Sequence, residues 1–412
     1  MPMHYLTSRG RGRHTIWPVL ALLLLLGATG SVGAQNVGEG PSSPMDATVA
    51  RRINTKRLSD TLQGILRAGV RDSAFPGAIA VIGTRDGVLA RATAGHIDWA
   101  ASPAPTGQTL WDLASLTKVV ALTSAMLQLV DQGRVLLDAP VQRYLPGFTG
   151  TWKDQVTVRH LLTHSSGLPA WRPLYKEATT AQDAMALVYA TPLDTVPGVR
   201  MVYSDLGAIL LGEIVRVVTG ESLDTYTTTH VFGPLRMRDT QYRPPVSLLS
   251  RIAPTEVDPW RQRHLRGEVH DENAFALGGV SAHAGLFSTA DDLVRLARAY
   301  LNHGTLDAEH VFSDSTIRLF TTVQNPGLSN RALGWETPTG GNSAGHALSS
   351  HAFGHTGFTG TSIWIDPDNN LFILLLTNRV NPTREHRAIS GVRIAVADAA
   401  MSIVGAAARP SP

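Results

Sequence analysis

The chain has 412 residues, of which 43% are hydrophobic and 17% are charged. This is an ordinary globular composition, long enough for a large core or for two lobes that share one site. The formal net charge of +3 comes from Arg9, Arg11 and Arg13, because the rest of the chain has equal numbers of basic and acidic residues. We therefore expect no nucleic-acid partner. The absence of cysteine excludes disulfides, thiolate metal sites and a lipid-modified cysteine.

The chain begins with a segment typical of exported proteins. Its arginines precede the apolar run 16–26, and small residues then end at Val32-Gly33-Ala34. This order predicts a secretory signal cleaved after Ala34 and a periplasmic or secreted protein. The alternative is an uncleaved membrane anchor, although the apolar run is shorter than the roughly 20 residues of a membrane span. Residues 35–45 are rich in Gly, Ser and Pro and predict a linker before one domain at 46–408.

Strand patterns occur near both ends of this domain. A helix is predicted at 51–69, followed by strands at 78–84 and 88–94 around the turn Arg85-Asp86-Gly87. A second strand pair is predicted at 361–365 and 371–377, followed by a closing helix at 384–404. The middle is mainly helical, with predicted helices at 116–132, 157–163, 181–189, 206–219 and 290–302.

The order of these elements predicts an α+β fold (an α/β sandwich). Both chain ends would join one antiparallel sheet flanked by helices, with a mainly helical lobe inserted between them. The sheet lobe would comprise about 46–110 and 345–408, and the helical lobe about 111–344. We expect the active site in the cleft between the lobes.

The most informative motif is Ser115-Leu116-Thr117-Lys118. Residues i and i+3 share one face of a helix, so the Lys118 amine can reach the Ser115 hydroxyl. The chain has four lysines, Lys56, Lys118, Lys153 and Lys176, and only Lys118 has a serine three residues before it. As a base, Lys118 would need a pKa about 3 units below its reference value, which we expect burial in a cation-rich cleft to supply.

Trp111 to Lys118 resembles the nucleophile motif of the serine β-lactamase and penicillin-binding protein superfamily. Tyr203-Ser204-Asp205 is similar to its tyrosine motif, and His355-Thr356-Gly357 to its Lys-Thr-Gly motif. Two stretches between the motifs, 161–168 and 283–289, also resemble this family, and the likeness extends over about 50–405. The superfamily includes class C β-lactamases, D-alanyl-D-alanine carboxypeptidases and esterases.

This resemblance implies the roles of the site residues. Ser115 would attack a carbonyl and become acylated, while Lys118 and Tyr203 move the proton. The backbone N–H groups of Ser115 and Phe358 would form the oxyanion hole. The remaining substrate contacts would come from Asp205, His355, Thr356 and Gly357.

Two positions depart from the family pattern. Asp205 replaces an asparagine, so a substrate amide contact becomes an acceptor or a charge. His355 replaces a lysine, and an imidazole is mostly neutral at pH 7. These changes favour neutral esters or amides over anionic β-lactams, with His355→Lys shifting that preference. Arg379 and Asn381 follow a predicted strand and could contact substrate, although ordinary loop positions are the simpler interpretation.

Other motifs in the chain are weaker. Gly341-Asn342-Ser343-Ala344-Gly345 matches a nucleophile elbow, but its flanks predict a loop. His160 and His164 have the spacing of a metal site without a third ligand, and we interpret them as packing and loop residues. His346, His351 and His355 lack ligand spacing. We therefore expect no metal and no cofactor.

The sequence thus predicts an exported serine hydrolase that cleaves an amide or ester through an acyl-enzyme. A carboxypeptidase-like enzyme or an esterase is favoured, acting as a monomer on a small molecule or a cell-wall peptide. The alternatives are a class C-like β-lactamase and a non-hydrolytic module that binds penicillin or peptidoglycan. Membrane contact would require an uncleaved signal.

Overall fold

The computed structural model describes residues 53–339 and 342–408. The predicted signal, the linker and the first two residues of the predicted helix at 51–69 lie outside the described residues. Within the described part of the chain, no helix is long and apolar enough to cross a membrane.

A five-stranded antiparallel sheet joins the two ends of the domain. Its strand order is β10-β11-β12-β1-β2, so strands from the C-terminal part pair directly with the first hairpin. Three two- or three-stranded sheets lie elsewhere. The strands are β1 (Gly77–Thr84), β2 (Gly87–Gly95), β3 (Trp111–Asp112), β4 (Gln241–Tyr242), β5 (Val257–Asp258), β6 (Arg263–His264), β7 (Leu286–Ser288), β8 (Thr305–Leu306), β9 (Glu309–His310), β10 (Phe353–Thr356), β11 (Ser362–Asp366) and β12 (Leu371–Thr377).

The two central strands of this sheet are buried on both faces, because alternate side chains enter two different cores. In β1, Ile79 and Val81 pack toward the helical region, whereas Ala80 and Ile82 pack toward the terminal helices. The residues of β12 divide between the same two cores. A strand covered on both sides is uniformly apolar, which explains the unbroken run Leu371–Leu376.

Helices cover both faces of the sheet and form the inserted region. The first and last α-helices pack on one face with the smaller core. The α-helices are α1 (Thr55–Arg71), α2 (Thr123–Asp131), α3 (Val158–Leu162), α4 (Leu174–Glu177), α5 (Ala181–Ala190), α6 (Asp205–Thr219), α7 (Leu223–Thr227), α8 (Glu272–Ala276), α9 (Ala290–Leu301), α10 (Asp314–Thr321) and α11 (Ile389–Ala408). The predicted α+β class is therefore confirmed.

Two predicted helices differ in detail from the structure. The closing helix begins at Ile389 rather than Arg384, because Glu256 accepts hydrogen bonds from both the backbone and the side chain of Arg384 and holds this segment as a loop. The predicted helix at 116–132 is a 3₁₀ turn at Ala114–Leu116, a π-helical turn at Lys118–Leu122 and then α2. π-helical turns are frequent at functional sites.

Candidate active site

Ser115 follows strand β3 at a strained turn. Ala114 has φ of +46°, a left-handed conformation that costs a non-glycine residue about 1–3 kcal/mol. The turn is stabilised by Asp112, whose Oδ1 accepts the Ala114 N–H at 2.8 Å and whose Oδ2 accepts the His270 N–H at 2.7 Å. Ser115 is left half-buried at the start of its helix. The fold thus holds the hydroxyl at an accessible and fixed position.

Lys118 is buried directly behind Ser115. Its Nζ donates to Ser115 Oγ at 3.1 Å, to Asp205 Oδ1 at 2.7 Å and to the backbone carbonyl of His283 at 3.0 Å. A lysine can donate three hydrogen bonds at once only as an ammonium ion. The geometry therefore describes a protonated Lys118 that bridges the predicted nucleophile and the carboxylate of Asp205.

The predicted lowering of the Lys118 pKa is wrong. Burial does act in that direction, but the adjacent Asp205 carboxylate, together with the Tyr203 phenol, outweighs it and holds the pKa of Lys118 above its ordinary value. The family resemblance implies a substrate contact for Asp205, whereas the structure pairs Asp205 with Lys118. A carboxylate in place of an amide thus changes the resting charge of this cluster.

The carbonyl that accepts from Lys118 belongs to a second buried array. His283 lies between Ser281 Oγ, 2.7 Å from its Nδ1, and Asp271 Oδ1, 2.9 Å from its Nε2. These two contacts fix the His283 ring and therefore its backbone. The family-like stretch 283–289 thus contributes to the site by orienting an acceptor for Lys118, a role the sequence analysis did not identify.

Tyr203 packs beside Lys118 between two histidines. Lys118 Nζ lies 4.9 Å from the centroid of its ring. The His164 and His355 rings lie 4.5 Å and 5.8 Å from it, centroid to centroid. The Tyr203 hydroxyl is buried and has no hydrogen-bond partner of good geometry among the described residues, while its oxygen faces the Lys118 charge and helps to stabilise it. Arg331 lies over the same ring at 5.3 Å.

His355 is buried and neutral at pH 7. Burial, and then the charges of Arg331 and Lys118, hold its pKa well below the ordinary value. Its Nδ1 donates to the Thr356 carbonyl at 2.8 Å, so its Nε2 is an acceptor. This Nε2 has no partner within the described chain. The expectation of a neutral imidazole at this position is confirmed.

Gly357 lets strand β10 approach the Ser115 turn. A Cβ on Gly357 would lie 2.1 Å from Thr361 Oγ1 and 2.3 Å from the Leu113 carbonyl oxygen, so a larger residue does not fit. Thr361 and Thr359 donate hydrogen bonds to the carbonyls of Leu113 and Asp112. These contacts join the Ser115 turn to the segment that carries the other predicted oxyanion donor, Phe358. The oxyanion role of both N–H groups remains a prediction.

The cleft in front of Ser115 has a volume of about 540 Å³ and a positively charged lining. Within the described residues, Arg379 and Arg393 form no ion pair, and burial together with neighbouring arginines lowers the pKa of both groups. Four of the predicted site residues line this cleft: Tyr203, His355, Thr356 and Phe358. The charged residues of the lining are five arginines and two glutamates, namely Arg331, Arg379, Arg384, Arg387, Arg393, Glu336 and Glu385. This local excess of positive charge could not be predicted from the overall charge, which is balanced outside the N-terminal segment.

The competing motifs have structural explanations. Ser343 Oγ accepts a hydrogen bond from the Trp364 indole at 3.3 Å. His160 Nδ1 accepts the Thr157 N–H in a capping box of α3, and His164 Nδ1 accepts the Ser204 N–H. Within the parts of the chain that the structure describes, no group of three or more acidic or histidine side chains is arranged to hold a metal ion.

Comparison with known proteins agrees with this geometry. The Beta-lactamase family model matches residues 62–397. The N-acetylmuramyl-L-alanine amidase of Bacillus subtilis strain 168 is 36% identical in an alignment 400 residues long that covers 87% of this chain and 89% of that protein. A provisionally assigned D-alanyl-D-alanine carboxypeptidase of Escherichia coli K12 is 36% identical in an alignment 311 residues long that covers 67% of this chain and 70% of that one.

Solved structures show the same fold. A penicillin-binding protein homologue from Caulobacter crescentus superposes with a TM-score of 0.69 at 21% identity, covering 84% of this chain and 97% of that chain. EstCE1, a hydrolase with promiscuous acyltransferase activity, gives a TM-score of 0.66 at 21% identity over 83% and 99% of the two chains. The chain therefore belongs to the β-lactamase family and is a serine hydrolase of the β-lactamase and penicillin-binding protein type.

Proposed function

We propose that this enzyme hydrolyses an amide bond of peptidoglycan-derived peptides through an acyl-enzyme on Ser115. The observation that carries the proposal is the contact of Ser115 Oγ with the buried Lys118–Asp205 pair at the base of an open cleft. Nucleophilic catalysis requires a serine that is hydrogen-bonded to an acid–base pair and that faces a cleft.

The protonated state of Lys118 determines how the proton moves. As Ser115 attacks the carbonyl, Lys118 accepts the serine proton while it transfers one of its own to the Asp205 carboxylate. The proton then passes to the leaving amine, for which the free hydroxyl of Tyr203 is the candidate donor. In the second half-reaction water attacks the Ser115 ester, and the same groups transfer one proton of that water to Ser115 Oγ as the acid product leaves. Each half-reaction conserves the protons of the cluster.

The bond that we favour joins N-acetylmuramic acid to L-alanine. The relative named for this activity aligns with nearly the whole of both chains, whereas the carboxypeptidase relative aligns with about two thirds of this one. This assignment differs from the carboxypeptidase-like enzyme or esterase that the sequence motifs favour. The arginine-lined cleft supports a substrate with carboxylates, which cell-wall peptides provide.

The test compares two peptide substrates. Purified enzyme is incubated with muramyl dipeptide and with diacetyl-L-Lys-D-Ala-D-Ala, and the released dipeptide or D-alanine is measured by mass spectrometry. We expect cleavage of the muramyl–alanine bond that is lost in Ser115→Ala. Release of D-alanine alone would assign the carboxypeptidase reaction instead. If neither substrate is hydrolysed, the peptidoglycan assignment is refuted.

We also propose that the enzyme acts outside the cytoplasm, on the basis of its N-terminal pattern of basic, apolar and small residues. Peptidoglycan fragments are present in that compartment.

A further inference from the structure

An exposed group of aromatic side chains lies near the active site. We define the aromatic platform as Trp171, Tyr175, Trp260 and Phe275. Consecutive ring centroids are 6.4, 4.7 and 5.9 Å apart, and the rings are inclined to one another by 52–82°. Trp171 is 48% exposed and Trp260 is 40% exposed. Single exposed aromatic residues are common, whereas a contiguous exposed group indicates a binding surface.

The platform is held rigidly from below. The Arg261 side chain is almost fully buried and lies under the Trp260 and Phe275 rings, 5.8 and 5.0 Å from their centroids. Its guanidinium donates to the carbonyls of Val269 and His270 at 2.7 and 2.6 Å. A surface whose rings are fixed in advance loses little conformational entropy when a ligand binds.

A second clamp fixes the Trp171 side of the platform. The buried Asn273 accepts the Tyr175 N–H through Oδ1 at 3.2 Å and donates through Nδ2 to the Arg172 carbonyl at 2.8 Å. The loop that carries Trp171 and the helix that carries Phe275 are thereby joined.

Both supports of the platform connect to the Lys118 cluster. The Ala170 carbonyl, next to Trp171, accepts the N–H of Asp205 at 3.0 Å, and Asp205 contacts Lys118. On the other side, Asp271 caps helix α8 and contacts His283, whose carbonyl accepts from Lys118. The platform is therefore joined to the Lys118 cluster by two short series of contacts, although its rings are not among the residues that line the Ser115 cleft.

We propose that the aromatic platform is a saccharide subsite that binds the sugar ring of a muramyl-peptide substrate. A pyranose ring presents an apolar C–H face that packs on an aromatic ring, while its hydroxyl groups remain in water; tryptophan and tyrosine suit this mixed environment. Cations at the edge can meet the polar groups of the sugar, since Lys176 Nζ lies 5.5 Å from the Tyr175 ring and the Arg263 guanidinium 5.9 Å from that of Phe275.

The position of the sugar in the substrate agrees with this surface. In a muramyl peptide, the scissile carbonyl belongs to the lactyl group, which is linked to the sugar through a single ether. A sugar must therefore lie close to Ser115 when that bond is cleaved. In a D-Ala-D-Ala substrate, the scissile bond is at the far end of the peptide. This inference rests on the proposed function, and it gives that function its substrate class.

The kinetic test uses Trp171→Ala and Trp260→Ala, with Trp152→Ala as the matched control because Trp152 is 39% exposed and is not part of the platform. The substrates are muramyl dipeptide and the sugar-free lactoyl dipeptide, which contains the same scissile bond. We expect each platform variant to raise KM for muramyl dipeptide by about 10-fold, the scale of one interface aromatic residue. Hydrolysis of the lactoyl dipeptide should not change. Equal losses on both substrates would overturn the subsite.

A binding test separates the subsite from the reaction. Ser115→Ala protein is titrated with the methyl glycoside of N-acetylmuramic acid while tryptophan fluorescence is recorded. The change in fluorescence should saturate with sugar concentration. It should be absent from Ser115→Ala protein that also carries Trp171→Ala and Trp260→Ala. The absence of any fluorescence change with the sugar would refute the proposal. So would a fluorescence change with sugar-free apolar peptides alone, or the finding that the protein forms a dimer that Trp260→Ala abolishes. Saturable sugar binding without hydrolysis of muramyl dipeptide would refute the proposed function and retain the subsite.

Discussion

The carboxylate of Asp205 and the ammonium of Lys118 form a buried ion pair, with 2.7 Å between Oδ1 and Nζ. The Lys118 side chain is 3% exposed and the Asp205 side chain 19%. Because the third donor position of Lys118 is directed at Ser115, this pair determines the charge next to the nucleophile. The resting enzyme therefore stores a proton on the residue predicted to act as its base.

Asp205→Asn should shift the pH dependence of catalysis. Without the carboxylate, burial dominates and the pKa of Lys118 falls, because the effect that raised it has been removed. In the proposed mechanism Asp205 takes the proton that Lys118 releases. Without this acceptor Lys118 must be neutral before Ser115 attacks, so kcat/KM should fall by about 10²-fold or more and should rise with pH as Lys118 loses its proton. The check is a pH–rate profile with p-nitrophenyl acetate, with the surface variant Asp138→Asn as control. An unshifted profile would show that Asp205 does not control the protonation of Lys118.

Ser115→Ala should lower kcat by on the order of 10⁴-fold, as the loss of a nucleophile usually does. Ser343→Ala is the matched control, because Ser343 lies in a loop and accepts a hydrogen bond from Trp364. It should change kcat by less than about twofold. Labelling with a fluorescent penicillin gives a second measurement, since only an intact Ser115 can form the acyl-enzyme. Inactivation by Ser343→Ala with activity retained in Ser115→Ala would exclude Ser115 as the nucleophile.

Arg387→Gln should weaken the turnover of anionic substrates. Arg387 is exposed and lines the cleft, so the change removes a charge with little effect on packing. We expect kcat/KM for an anionic cephalosporin or peptide to fall about 5-fold, and less at high salt, while a neutral ester is unaffected. Arg57→Gln, on the outside of α1, is the control.

The same measurement tests what His355 contributes to substrate choice. The replacement of a lysine by a neutral His355 predicts a preference for neutral substrates. The arginines of the cleft provide the positive charge that a lysine at this position would have supplied. We therefore expect the wild type to prefer the anionic substrate, and that result would show that His355 does not set the charge preference. Preference for the neutral ester, with a 5- to 30-fold shift in His355→Lys, would support the original expectation.

Glu256→Gln should destabilise the protein in a pH-dependent way. Burial opposes ionisation of Glu256, but hydrogen bonds from His270 and Arg384 outweigh it and lower its pKa to about 2. A carboxylate with a depressed pKa contributes stability above its unfolded pKa of about 4.3, and this is lost as pH falls toward 2. The free energy of unfolding should drop by about 3 kcal/mol at pH 7, the scale of a broken buried pair.

The difference in free energy of unfolding between the wild type and Glu256→Gln should shrink between about pH 5 and pH 2, because the wild type also loses its carboxylate charge there. Urea unfolding at several pH values measures this. Glu309→Gln, at an exposed position, should show no such dependence. A deficit that stays constant with pH would mean that packing, rather than charge, accounts for the role of Glu256.

We propose that the protein is exported and that its mature form begins at Gln35. The motive is the pattern of basic, apolar and small residues that ends at Ala34. Intact-mass measurement of secreted or periplasmic material tests it directly. A membrane-bound protein that retains Met1 would show that the apolar run 16–26 serves as an anchor.

Local patterns in the sequence were sufficient to predict the fold class and the contact of the candidate nucleophile Ser115 with Lys118. The strands β1, β2, β11 and β12 lie within one residue of their predicted bounds, because an apolar strand between Gly or Asp turns depends mainly on neighbouring residues. The contact of Ser115 with Lys118 was also predictable, since i and i+3 share one face of any helix.

Only the tertiary structure decided the charge state of the site and the surface around it. Asp205 is 87 residues from Lys118, and Arg379 and Arg393 reach the cleft from the opposite end of the chain. The platform likewise combines a loop near 171 with segments near 260 and 275. Electrostatic interactions depend on distance and burial in space, which local sequence patterns do not specify. The motif therefore located the candidate nucleophile, and folding set the charges that surround it.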